Sequence, residues 1–246
     1  MTSATLSAPF TMTDIVPPFR GQGQESDIRI SLLRMAECTE QALGAAIEAF
    51  FSNDGLAARN VLDRDRVIDV LEVRNDTLIY QHIALHQPEQ AALRMLLSSQ
   101  KVNTILERVG DHAVNIAESA LALKSLPDAA LVSTLREMSQ KAVHLLNAAR
   151  ETFFGQEAEA AEGLLRLDDE VDSLNRLVSD MVRSRVFEHN LSLDDALEII
   201  HVSKNLERVA DLATNIAEET VFSVKARSVK HRGVSPDGTP AGPVVS

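Results

Sequence analysis

Tryptophan is absent from this chain and tyrosine occurs once, at Tyr80, so aromatics make up only 4% of the 246 residues. Ala, Leu and Val fill the apolar share instead, a balance that favours helices over sheets. Cysteine also occurs once, at Cys38, which excludes an intramolecular disulfide and suits a reducing compartment. No run approaches the ~20 uncharged apolar residues of a membrane span. Residues 1–24 lack the basic lead and apolar stretch of a secretory signal. A cytoplasmic protein is expected, reaching a membrane only through partners. Basic residues are outnumbered by acidic ones, 24 to 36, for a net charge of -12. That argues against a nucleic-acid footprint, because phosphate backbones need a basic surface. No Gly-rich phosphate loop, nucleotide fingerprint or nucleophile elbow is present.

What the chain does contain is a repeat. The block Glu107-Arg108-Val109-Gly110-Asp111-His112-Ala113-Val114-Asn115-Ile116-Ala117-Glu118 returns one hundred residues later as Glu207-Arg208-Val209-Ala210-Asp211-Leu212-Ala213-Thr214-Asn215-Ile216-Ala217-Glu218, with nine of twelve positions identical. An earlier element repeats too: Asp65 and Asp69 stand four apart, and Asp168 and Asp172 do the same at an offset of 103.

Breakers are scarce and well spaced. Ser52-Asn53-Asp54-Gly55 reads as a turn, and Pro88, Pro127, Gly155 and His189-Asn190 mark the other boundaries. They predict six helices, over 25–52, 56–86, 89–124, 128–154, 156–188 and 192–227. Short connections favour antiparallel neighbours. Each copy of the block falls in the third helix of its half. The fold expected is therefore all-α, with two tandem three-helix bundles over 25–126 and 127–227, and a single six-helix bundle as the rival. Residues 1–24 and 228–246, rich in Pro and Gly, read as flexible arms.

At 100° per residue, Glu107, Asp111, Asn115 and Glu118 fall within about 80° of one another, while Val102, Ile105, Val109 and Ile116 lie on the opposite side. Asp65, Asp69, Glu72 and Asp76 share an arc of about 60° on the second helix. If the two helices are neighbours, up to eight oxygen-bearing side chains face one groove. The second half matches in part, with Asn175 and Ser179 where the first has Glu72 and Asp76. Converging carboxylates repel unless neutralised. A cation is the direct remedy, since Mg²⁺, Mn²⁺, iron and Zn²⁺ accept carboxylate oxygens at roughly 2.0–2.2 Å. Salt-bridged helix faces are the competing reading, with Arg108, Arg208, Lys101 and Lys204 close by. Gly110 and Ala210 are small enough to admit a close neighbour. The remaining histidines form no ligand spacing, and His112 faces Leu212 in the repeat.

The segments 101–118 and 205–218, with Asp65–Asp69 and Asp168–Asp172 before them, resemble the PhoU family of bacterial phosphate-transport accessory proteins. The resemblance covers about residues 25–227 and includes the duplication. It implies two three-helix bundles whose Glu/Asp-x-x-x-Asp pairs bind clusters of iron or zinc, with manganese or magnesium as further candidates. One site would use Asp65, Asp69, Glu107 and Asp111; the other Asp168, Asp172, Glu207 and Asp211. Asn115, Glu118, Asn215 and Glu218 would support them. The family role implied is negative regulation of phosphate uptake and of phosphate-starvation signalling. The implied partners are the ATPase subunit of a phosphate ABC transporter and a membrane sensor histidine kinase; a homodimer is expected from the long helical bundles. An adaptor, not an enzyme, is expected; a metal-dependent phosphate-ester hydrolase and a metal-free structural protein are the alternatives.

Overall fold

A computed structural model describes residues 25–227 and Val229. The expected arms otherwise lie outside the described residues. Among these the chain is all-α. The helices are α1 (Glu25–Ser52), α2 (Gly55–His86), α3 (Gln90–Ala122), α4 (Ala129–Gly155), α5 (Ala158–Leu164), α6 (Asp168–Phe187) and α7 (Leu193–Lys225). Helices α1–α3 form one three-helix bundle. Helices α4, α5–α6 and α7 form the other.

Local chemistry sets the boundaries. Asn53 takes a left-handed conformation (φ 52°), and the Asp54 carboxylate accepts from the Leu56 and Ala57 N–H groups to start α2. Asp128 caps α4 in the same way. Ser192 caps α7, accepting from the Asp195 N–H at 3.1 Å. The helix expected over 156–188 is interrupted at residues 165–167. There Leu164 and Leu165 turn onto Ala161, Ala217 and Val221. A fresh helix then begins with Asp168, Asp169 and Glu170, acids that suit the positive end of its dipole.

The two bundles share one interior. Met35, Phe50, Leu71 and Leu106 belong to the same buried cluster as Met138, Phe153, Val178 and Leu206. Full burial of each such side chain contributes about 2 kcal/mol. Helix α1 packs on α4, and α3 packs along α7. Contacts run from Ser98–Glu219 through His112–Asn205 to Lys124–Asp195, so α3 and α7 are antiparallel. Because they carry the repeat, the halves are related by an approximate twofold through this seam.

Two features of the seam escape a reading of the sequence. Glu219, with a side chain only 1% exposed, meets Lys101 Nζ at 3.1 Å and accepts from Ser98 Oγ at 3.3 Å. The paired rings Phe50–Phe51 and Phe153–Phe154 repeat at an offset of 103, both edge-to-face. Each is met by an arginine from the other half: Arg136 lies over Phe51 at 4.2 Å, and Arg29 over Phe154 at 5.9 Å. No helix among the described residues is long and apolar enough to cross a membrane.

Candidate functional site: two acidic grooves

In the first half, α2 and α3 pack side by side and bring Asp65, Asp69 and Glu72 opposite Glu107 and Asp111. Gly110 permits the approach. A Cβ there would stand 3.0 Å from Ile68 Cδ1 and 3.8 Å from Asp65 Oδ1, so the Asp65 carboxylate lies over the glycine backbone. The carboxylates share one field. Burial, then Asp111, Glu72, Asp69 and Asp65, push Glu107 up to about 7. Asp65 is raised by burial and then by Asp69 and Asp111. Glu72 is raised by burial and then by Asp76, Asp69 and Asp111. No ion pair to these five is present among the described residues, Arg108 included.

Beneath this groove lies a buried polar layer. Asn75 Nδ2 donates to Asn103 Oδ1 at 2.8 Å, and Asn103 Nδ2 donates to the Glu72 carbonyl and to Asp76 Oδ1. Asp76 therefore serves to hold α2 against α3. The sequence does not single this layer out, because at 100° per residue Asn103 falls about 40° from Glu107, on the acidic face.

The second groove is built differently. Asp168 is the first residue of α6, and its Oδ1 accepts from the Asp169 N–H at 3.1 Å. Burial raises Asp168 from its ordinary value against the pull of backbone hydrogen bonds. Asp211 is raised by burial, then by Glu207, Asp172 and Asp168, with Arg208 opposing. Exposed cations contact the acids of this groove: Lys204 Nζ meets Glu207 at 2.8 Å, and Arg208 meets Asp211 at 3.6 Å. Asn175, the expected counterpart of Glu72, is buried and accepts from Ser203 Oγ at 2.7 Å. It belongs to the core.

Among the proposed supporting residues, Asn115 turns toward α7. Its Nδ2 donates to Asn205 Oδ1, which also meets His112 Nδ1 at 2.8 Å. Glu118 is exposed; Asn215 and Glu218 are half-buried. Among the described residues, no three Asp, Glu, His or Cys side chains stand as a ready-made metal-ligand set. The donor chemistry nonetheless suits a hard or borderline cation.

Fold and grooves together define a duplicated all-helical protein with one acidic groove per repeat. The PhoU domain model matches residues 32–120 and 135–220. The phosphate-specific transport system accessory protein PhoU homolog 1 of Thermotoga maritima is 30% identical over 84% of this chain and 90% of its own length. The PhoU accessory protein of Escherichia coli is 26% identical over 84% of this chain and 86% of its own length. A crystal structure of PhoU from Pseudomonas aeruginosa superposes with a TM-score of 0.78 at 26% identity, covering 82% of this chain and 97% of that one. The chain belongs to the PhoU family. That places it among accessory proteins of phosphate transport and not among enzymes.

Proposed function

We propose that this chain is a regulatory adaptor of phosphate homeostasis, restraining phosphate uptake and phosphate-starvation signalling when phosphate is plentiful. It links the ATPase subunit of a phosphate ABC transporter to a membrane sensor histidine kinase. It works in the cytoplasm as a homodimer, with residues 25–126 and 127–227 as its two units. The observation that carries this reading is family membership over both repeats, with an acidic groove retained in each.

The grooves are cation sites in this reading. Asp65, Asp69, Glu107 and Asp111 would hold one group of ions, and Asp168, Asp172, Glu207 and Asp211 the other. Iron or zinc is the first choice, with manganese or magnesium next. Bound cations supply charge neutralisation, drawing the α2 carboxylates toward α3 and those of α6 toward α7. Asp65 is positioned by Gly110, and Glu72 by the Asn103 hydrogen bonds to its helix.

Two measurements test the adaptor role. A phosphate-starvation reporter should become active in high phosphate when the gene is deleted. The purified chain should bind both the transporter's ATPase subunit and the sensor region of the kinase. A silent reporter together with no binding to either partner would refute the role.

A further inference from the structure

The repeat allows each groove residue to be compared with its mate one hundred positions away. Glu107 and Glu207 are mates, as are Asp111 and Asp211, and Arg108 and Arg208. The position three residues before the glutamate differs: Thr104 in the first half, Lys204 in the second. Both are exposed. Spaced i, i+3 on α7, Lys204 reaches both oxygens of Glu207, at 2.8 and 3.1 Å. Threonine carries no charge to do the same for Glu107. The middle helices add to the contrast. Glu72 joins the first groove, whereas its mate Asn175 is turned into the core on Ser203. The first groove thus holds five carboxylates and no cation among the described residues. The second holds four carboxylates and two cations of its own.

We propose that the two grooves are unequal cation sites, the first the tighter, and that Lys204 sets the difference by occupying Glu207, whereas Thr104 leaves Glu107 open. This rests on the reading of the grooves as cation sites. An incoming ion at the second groove must displace an ammonium already in contact with a ligand oxygen. At the first groove it meets only mutually repelling carboxylates, and each added charge relieves that repulsion. Lys204 is half exposed, at 54%, so solvent screens its hold on Glu207. A screened exposed pair of this kind corresponds to roughly threefold in affinity. Arg208 contributes less to the difference, because its separation from Asp211, 3.6 Å, is the longer contact.

The test uses the full chain, stripped by chelator and dialysed, then titrated separately with Mn²⁺ and Zn²⁺ by calorimetry. Free Mn²⁺ is counted in parallel by electron paramagnetic resonance. Two classes of site are expected, the tight one lost in Asp111→Asn and the weak one lost in Asp211→Asn. Lys204→Thr should tighten the weak class about threefold, and Thr104→Lys should loosen the tight class by a similar factor. Both exchanges are at exposed positions, and circular dichroism verifies that the helices are unchanged. Equal affinities in the parent, or a weak class that does not move in Lys204→Thr, overturn the inequality while leaving the cation reading intact. No uptake of either ion by any variant removes the cation reading itself, and the inequality with it.

Discussion

The first half runs its middle helix unbroken for 32 residues; the second divides the same role between α5, of 7 residues, and α6, of 20. In α2 the first acid of the groove, Asp65, sits in mid-helix with turns on either side. In α6 its mate, Asp168, is the helix start, with its carboxylate already bonded to the backbone. The same four-residue spacing therefore yields a groove stripped of counter-charge in one half and a partly satisfied groove in the other. Duplicated motifs preserve spacing, but the local helix end and a single flanking residue decide which of the acids find a partner.

The sharpest way to break the comparison is at the α3–α7 seam, where the halves differ most. Replacing Lys101 with Met removes the ammonium that meets the buried Glu219 carboxylate, and should cost about 3 kcal/mol in urea unfolding. A loss under about 1 kcal/mol would show that the pair does not fasten the halves.

Next in size is the groove floor. Gly110→Val places methyl groups against Ile68 and Asp65 and should cost about 2 kcal/mol. Ala210 already carries a Cβ at the mate position, so Ala210→Gly should cost only about 1 kcal/mol, through helix propensity. Reversal of that order would mean that α2 and α3 are not in close contact at Gly110.

A smaller effect is expected from pH. The folded pKa of Glu107 stands above its unfolded value, so the folded state binds the extra proton. Stability from this group is fully present below about 4.5 and is lost as pH rises through about 7. Urea midpoints of chelator-treated protein should therefore fall between pH 5 and 8, and Glu107→Gln should flatten that fall. An unchanged slope in the variant would show that the first groove is not the source.

The smallest effect is expected at Ser119, the repeat mate of Glu219. Ser119→Ala should shift stability by less than about 1 kcal/mol. A loss as large as that of Lys101→Met would mean that the two ends of the seam are equivalent after all.

Much of this architecture is legible in the residues. The acidic faces stand out because carboxylates at four-residue spacing, opposite an apolar stripe, have one geometric meaning on a helix. The small residue at Gly110 signals close packing, and the Ile68 contact bears that out. The interruption at residues 165–167 is not legible, because Leu164, Leu165 and Leu167 all suit a continuing helix. Only the acids from Asp168 onward mark the restart. Angular reasoning put Asn175 in the groove, and tertiary packing against Ser203 took it inside. Glu219 reads as one more surface acid, since its cation lies 118 residues away in sequence. Lys204 is visible as a charge near the block, yet its effect emerges only when set against Thr104.

The common interior also changes what the connection between the halves has to do. Residues 123–128 are fastened at several points without relying on chain continuity: the Lys124 N–H donates to buried Asp195, and Arg185 meets Asp128. Phe51, Phe154 and Glu219 tie the bundles elsewhere. A cut between Ser125 and Leu126 should leave two fragments that travel together on a sizing column and unfold in one transition. The covalent link is then nearly redundant once folding is complete, and new chain ends placed there would yield a circular permutant with the same helices in a different order.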